Sequence, residues 1–176
     1  MKISGNLKIE ASKEEDKEKI IKSGLSILEN NTLLTLSTFD KENNQPCSST
    51  AYYVYDDEFN LYFWTDPYTL HSRNIKSNPN VAINIFDSTQ KWGSLLKGVQ
   101  LFGSARVVNA KELILGGGLY LKRFPGVTKY IKKVLDFHSK KYQSKMYKIS
   151  ISKVKVFDEA AFGKEEFREL VIERDN

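Results

Sequence analysis

The segment 60–86 contains hydroxyl and imidazole side chains at a spacing that could bind a phosphate group. Thr65, Thr69 and His71 lie close together after an aromatic, β-branched stretch that predicts a strand. Asp66-Pro67 predicts a helix start, because Asp is a good N-cap and Pro fits the first helical position. A helix N-terminus presents unpaired N–H groups and partial positive charge. The three residues therefore predict a phosphate site, with a capped helix packed on a sheet as the alternative.

The helix that follows Thr65 carries two candidate ligand side chains, and only one of them can face a given ligand. His71 and Arg73 are two residues apart, so they lie on roughly opposite sides of a helix. We expect His71 to face the ligand and Arg73 to face solvent. Asn78-Pro79 ends the helix, since Pro disfavours helical dihedrals in the residue before it.

Strands on both sides of this segment would form the frame that positions the site. Residues 32–39 and 48–55 predict two strands joined by a polar loop, and 97–108 and 146–157 predict two more. Short strands and brief turns are typical of an antiparallel meander that closes into a barrel. A phase shift in the apolar pattern predicts a bulge near Ser152-Lys153.

Two of these strands carry further candidate ligand residues. On strand 48–55, Ser49 and Ala51 share one face and Thr50 lies on the other. On strand 97–108, Gln100 faces away from the apolar core side, toward another layer or a partner subunit. A glutamine amide can both donate and accept hydrogen bonds. Lys97, which begins this strand, could neutralise a phosphate; ordinary surface roles remain the alternative for both residues.

The helices are expected to cover the sheet. Residues 12–30 predict an amphipathic helix with Ser12 and Glu15 as a capping box. Three glycines at 116–118 are expected to interrupt a helix that begins at 110, and 127–137 predicts another helix. The charged end from 165 onward is expected to lie on the surface.

Composition limits the class of protein. The 176 residues fit one domain of 1–176, with an N-terminal helical segment 1–31, a barrel with a helical insertion 32–157 and a tail 158–176. The net charge of +5 favours anionic ligands, but no long basic block indicates nucleic-acid binding. No apolar run approaches the roughly 18 residues that span a bilayer.

Cysteine and histidine usage adds two expectations. Cys47 is the single cysteine, so an intrachain disulfide is impossible. Together with an N-terminus that lacks a signal-peptide core, this fits a cytoplasmic protein. His138 has no second His at ligand spacing, so we expect no metal site.

The motifs T-D-P-Y-T-L-H-S-R-N-I-K-S-N-P-N-V-A-I-N-I and K-G-V-Q-L-F-G-S-A-R-V resemble those of the FMN-binding split barrels, the pyridoxamine 5'-phosphate oxidase-like proteins. The segments K-R-F-P at 122–125 and F-x-x-x-x-F-G-K at 157–164 are similar to an uncharacterised branch of that superfamily. The resemblance covers about 32–169. It implies a mainly β (α+β) fold, an antiparallel Greek-key split β-barrel with flanking helices.

The resemblance also implies a homodimer with FMN at the interface and a flavin-dependent oxidation or reduction of a small-molecule substrate. The flavin itself would supply the redox chemistry. The implied cofactor residues are Ser49, Thr50, Ala51, Thr65, Thr69, Leu70, His71, Lys97 and Gln100.

Departures from the family pattern leave the activity open. Authentic pyridoxamine 5'-phosphate oxidases carry an arginine-lysine pair where this chain has Leu70-His71, and a glutamine at Gly98. The tail also lacks their terminal proline, so vitamin B6 oxidation is not expected. The alternatives are a non-catalytic binding module for flavin, haem or another planar ligand, and a purely structural dimer.

Overall fold

The computed structural model describes residues 7–138 and 143–174 of the chain, and these form eight strands and four α-helices. The strands are β1 (Leu7–Ala11), β2 (Leu33–Asp40), β3 (Gln45–Tyr55), β4 (Asn60–Thr65), β5 (Asn80–Phe86), β6 (Lys97–Val107), β7 (Lys145–Asp158) and β8 (Phe167–Arg174). The helices are α1 (Lys17–Asn30), α2 (Leu70–Ser77), α3 (Ala110–Arg123) and α4 (Glu159–Phe162). Within these ranges, none of the helices has the length and apolarity that crossing a membrane requires.

The strands form a closed antiparallel barrel with Greek-key connections. Strands β2, β3 and β4 pair in sequence, and β5 returns to pair beside β2, which is the Greek-key order. Strand β6 continues from β5, and β7 closes a six-stranded barrel by pairing with both β6 and β4. The expected mainly β split barrel with flanking helices is confirmed.

Strand β7 is where the barrel splits. One edge of β7 pairs with β6, whereas the other pairs with β4 over Lys145–Ser150 and with β8 over Lys153–Phe157. The register between β6 and β7 shifts after Phe102, which leaves Ser152 as an extra residue. The predicted bulge is therefore confirmed, and it lies where the second edge of β7 changes its partner from β4 to β8.

Side chains of alternate residues separate the barrel interior from its outer face. Ladder partners share a face, so Leu36, Ile83 and Leu101 meet inside the barrel, each less than 3% exposed. Their neighbours Asn84 and Gln100 pair on the outer face. The outward direction predicted for Gln100 is confirmed.

Helix α1 packs on β5, β6, β7 and β8, but it begins later than predicted. The helix starts at Lys17, and its N-cap Asp16 makes no side-chain capping bond. Ser12 is engaged elsewhere: its N–H donates to the Glu169 carbonyl, and its hydroxyl accepts from the Glu169 N–H. The predicted capping box was wrong because Ser12 instead bonds with Glu169 just beyond the β1–β8 ladder, a long-range pairing.

Helix α3 runs through the three glycines that were expected to interrupt it. Gly116 and Gly117 are buried, and an added Cβ at Gly116 would lie 2.7 Å from the Tyr62 ring. The glycines thus allow close packing instead of breaking the helix. The helix predicted at 127–137 is instead two 3₁₀ segments, Pro125–Lys129 and Val134–His138.

The end of the chain is not confined to the surface as predicted. Strand β8 alternates, with Arg168, Leu170 and Ile172 buried against the core. Glu169 and Glu173 alternate with them on the other face, and this mixture gave the segment its polar appearance in the sequence. Arg168 is held by Asp16 at 3.0 Å and Glu166 at 2.7 Å.

Candidate functional site

The start of α2 is built by a turn that follows the end of β4. Asp66 accepts the Tyr68 N–H at 2.7 Å through its carboxylate, and its carbonyl accepts from Thr69 and Ser72. Thr69 is the N-cap and accepts the Ser72 N–H, so α2 begins at Leu70 and not at Pro67 as predicted. Asp66 caps the preceding turn instead, an Asx-type role that its short carboxylate suits.

His71 joins the two predicted threonines into one cluster. Its Nε2 lies 2.9 Å from the Thr65 hydroxyl and 3.0 Å from the Thr69 hydroxyl. The imidazole is half-buried, with its ring centroid 6.3 Å from that of Phe63. Burial lowers the pKa of His71, which favours the neutral ring at pH 7. The cluster thus offers two hydroxyls and a neutral imidazole to a ligand.

The first turn of α2 adds backbone donors to this cluster. The N–H groups of Leu70 and His71 precede the first hydrogen-bonded amides of the helix, those of Ser72 and Arg73. The Leu70 side chain is 41% exposed and contributes no polar atom. The positive end of the helix dipole is therefore available to an anion. The His71 ring is hydrogen-bonded to the Thr65 and Thr69 hydroxyls and not to a cationic side chain.

Strand β3 presents an unpaired edge on the side of β4. The pairing of β3 with β4 covers Tyr53–Tyr55, whereas β3 pairs with β2 from Gln45 to Tyr52. The Tyr53 N–H donates toward β2, to the Thr32 carbonyl. Because backbone direction alternates along a ladder, the amide groups of Ser48 and Thr50 point to the open edge. A planar ligand with polar edge atoms can pair with such a strand.

The three predicted residues on β3 are divided between two faces, as expected. Ser49 and Ala51 point toward the barrel interior and are half-buried, whereas Thr50 is exposed outside. The register then places Thr50 and Gln100 on the same outer row, at opposite ends of the run Thr50, Thr35, Asn84, Gln100. Gln100 on β6 is therefore separated from β3 by two strands, β2 and β5.

Lys97 lies at the end of β6 opposite to α2. Its Nζ is 3.1 Å from the Asp158 carboxylate, which also accepts the Ser23 hydroxyl at 2.5 Å. Although burial of Asp158 opposes ionisation, Ser23 and Lys97 hold the pKa of this carboxyl below its ordinary value. Lys97 thus makes an ion pair with Asp158 and lies apart from the cluster at α2.

An outer groove of about 490 Å³ contains both Lys97 and Gln100. Phe86, Phe157 and Phe167 give it an apolar lining. The predicted site residues consequently fall into two groups within one chain: the cluster at α2 with the open edge of β3, and the outer groove at β6.

Sequence reasoning did not identify how two residues shape these surroundings. Asp66 organises the turn before α2, and the D-P-x-T pattern could have indicated this role. Arg123 donates to the carbonyls of Leu28, Glu29 and Asn31 at the end of α1. Its guanidinium also lies 5.0 Å from the Tyr53 ring centroid. No local signal predicts this contact, because it joins two distant helices.

Solved structures of similar fold include proteins of different described roles. A protein of unknown function from Agrobacterium tumefaciens has 16% identity and a TM-score of 0.64, over 80% of this chain and 56% of that one. A haem-binding protein from Mycobacterium smegmatis has 17% identity and a TM-score of 0.66, over 84% and 55%. This chain therefore spans little more than half the length of either.

A third similar structure matches over nearly its full length. It is described as a putative pyridoxamine 5'-phosphate oxidase from Listeria innocua, with 14% identity and a TM-score of 0.57, over 82% of this chain and 98% of that one. At these identities the likeness shows the fold alone. No curated protein sequence matches the chain.

The sequence itself provides the family assignment. A family model described as pyridoxamine 5'-phosphate oxidase matches residues 22–156, from within α1 to within β7. This range contains the barrel, the start of α2 and the open edge of β3. The chain belongs to the pyridoxamine 5'-phosphate oxidase family.

Proposed function

We propose that the protein is a homodimeric FMN-binding protein that acts as a flavin-dependent oxidoreductase on a small molecule. The observation that carries this proposal is the cluster of Thr65, Thr69 and His71 at the start of α2, next to the open edge of β3. Members of the family often bind flavin and are commonly dimers.

The phosphate of FMN fits the α2 cluster. Thr65 and Thr69 hydroxyls can rotate to donate to phosphate oxygens, and the Leu70 and His71 amides add backbone donors. A dianion next to His71 would also favour the imidazolium and so convert a neutral ring into a charged donor. The imidazolium charge forms only when the phosphate binds. It compensates for the absent arginine-lysine pair, whose positions are taken by Leu70 and His71.

The ring of FMN fits the open edge of β3. The Ser48 and Thr50 backbone groups can pair with polar atoms of the flavin edge, and the small Ser49 and Ala51 leave room for a planar ring. Because Lys97 and Gln100 lie on the outer face at β6, we propose that they reach the ligand from a second copy. Bound FMN would supply hydride or electron transfer, while these residues fix its position.

The test compares a double variant with a matched control. Thr69→Ala with His71→Ala removes two phosphate ligands, so we expect FMN affinity to fall by about tenfold or more while the dimer persists. Thr128→Ala with His138→Ala removes the same residue types elsewhere and should leave affinity unchanged. Absorbance after removal of excess FMN measures retention, and sedimentation measures the dimer. Unchanged affinity in the first variant would place the phosphate somewhere else.

A non-catalytic module for haem is the second candidate, and the state of His71 favours it. A half-buried neutral imidazole is a suitable iron ligand, and the cluster offers no permanent cation for phosphate. Purified protein mixed with haem should then give a Soret band that His71→Ala shifts or removes. A protein that retains FMN and oxidises NAD(P)H supports the enzyme instead, whereas retention without turnover supports a flavin-binding module.

A further inference from the structure

A second groove, separate from the α2 cluster and from the outer groove, lies between α2, the end of β6 and the start of β7. We call it the basic groove and define it by Tyr68, Arg73, Lys76, Arg106, Lys145 and Tyr147. Its volume is about 730 Å³, which is within the usual range for small-molecule sites. None of Thr65, Thr69 or His71 lines it.

The charge of this groove is one-sided. Its lining contains four cationic residues and no Asp or Glu. Arg106 is compensated, because Glu112 accepts from it at 2.6 and 2.7 Å and the pair lowers the pKa of that carboxyl to about 2. Within the described ranges, Arg73, Lys76 and Lys145 have no carboxylate in ion-pair contact. Three positive charges therefore face one concave surface.

The position of these cations is fixed by the fold. Arg73 and Lys76 are three apart on α2 and so share a helix face. The Arg73 guanidinium donates to the Tyr68 carbonyl at 2.6 Å, which orients it. The Ala105 N–H donates to the Pro79 carbonyl at 2.8 Å and ties the end of α2 to β6. Arg73 is thus oriented by a local hydrogen bond, and α2, which carries both Arg73 and Lys76, is tied to the barrel.

The floor of the groove is apolar and partly aromatic. Ile75 and Tyr147 are buried there, 4% exposed each, and Val107 and Tyr68 lie at its margins. Tyr68 is 73% exposed and its ring is open to a partner. An aromatic side chain beside cations suits a ligand that combines a planar ring with phosphates.

From this geometry we propose that the basic groove binds a nucleotide, a planar base joined to two or more phosphates. The phosphates contact Arg73, Lys76 and Lys145, and the base contacts Tyr68 and the apolar floor. This site is independent of the proposed FMN site, since the two use different faces of α2.

The test measures ADP binding by calorimetry in low salt, with adenosine and pyrophosphate as partial ligands. We expect ADP to bind more tightly than either part, because the groove recognises both. Arg73→Ala with Lys76→Ala should weaken ADP binding by about tenfold or more, since two charge-assisted contacts are lost. Lys22→Ala with Lys129→Ala makes the same change in net charge at other exposed positions and should leave ADP binding unchanged.

The flavin-site variant distinguishes this proposal from the proposed function. Thr69→Ala with His71→Ala should keep ADP binding, whereas Arg73→Ala with Lys76→Ala should keep FMN binding. Loss of ADP binding in the former variant alone would mean that ADP had occupied the flavin site, and it would overturn the proposal. The proposal would be overturned as well if Arg73→Ala with Lys76→Ala and Lys22→Ala with Lys129→Ala weakened ADP binding equally. An oligonucleotide that bound the protein and was not displaced by ADP would also overturn it.

Discussion

At the scale of single residues, the α2 cluster depends on hydroxyls and one imidazole without a permanent charge. Thr65, Thr69 and His71 were identified from the sequence because they are close along the chain and precede a helix. The sequence placed the helix start at Pro67, however, because Asp66-Pro67 is a good start signal by itself. Thr69 is the cap since the Asp66 carboxylate and carbonyl are already used in the turn before it.

Stability should depend on pH through His71. Burial lowers the pKa of His71 in the folded chain below its unfolded value of 6.5, so the unfolded chain binds the proton more readily. Stability should therefore fall as pH drops from about 7 to about 5. His71→Gln keeps a hydrogen-bonding group without titrating and should reduce this slope, as measured by urea unfolding at several pH values.

His138 needs its own control, because burial also lowers its pKa and gives a slope of the same sign. His138→Gln should reduce the slope separately. In the double variant, His71→Gln with His138→Gln, the free energy of unfolding should change little between about pH 7 and about pH 5. A His71→Gln protein that keeps the full slope contradicts the assignment. With FMN bound, the slope assigned to His71 should weaken or reverse, because the phosphate favours the imidazolium.

At the scale of elements, periodicity predicted most strands but misjudged helices whose form depends on packing. The strands 32–39, 48–55, 97–108 and 146–157 match β2, β3, β6 and β7 closely, since their alternation is set by one buried face. Helix α3 continues through its glycines because Tyr62 and Val134 fill the space beside Gly116 and Gly117. That contact joins segments far apart in sequence, so no local pattern reveals it.

Two glycine substitutions in α3 should have opposite effects on stability. Gly116→Ala puts a Cβ 2.7 Å from the Tyr62 ring and 2.9 Å from the Met146 sulfur, so it should destabilise by about 1–3 kcal/mol. Gly118→Ala meets nothing within 4 Å and should stabilise by about 0.5–1 kcal/mol through helix propensity. Thermal or urea unfolding measures both. Equal effects would mean that α3 does not pack on β4 and β7 in this way.

At the scale of the whole molecule, closure of the barrel leaves an outer face that the sequence could describe only in part. The alternation of side chains predicted that Gln100 points outward. It could not predict that Thr50 lies in the same row on the outer face, because the strand order β3, β2, β5, β6 is a property of the Greek key. Several apolar side chains remain exposed on this face, namely Leu33, Phe86, Phe102 and Phe167. Large exposed apolar groups on one sheet face are typical of an interface.

If a second copy covers this face, one charge placed in it should separate the dimer. Phe86 is 45% exposed and lines both the outer groove and the adjoining one at Thr35 and Thr50. Phe86→Lys puts an ammonium there without disturbing the interior, so we expect monomers with normal unfolding behaviour. Leu135→Lys changes a residue that is 65% exposed elsewhere and should remain dimeric. Sedimentation velocity measures the change.

The Phe86→Lys variant also tests whether dimer formation contributes to FMN binding. We propose that Lys97 and Gln100 reach FMN from the second copy, so the Phe86→Lys monomer should also bind FMN more weakly, and addition of FMN should restore some dimer by mass action. A monomer with full FMN affinity would show that one chain completes the site and that the outer groove has another role. If the Phe86→Lys protein remained dimeric, the interface would lie away from β5 and β6. Gln100 could then not contact the flavin from the second copy.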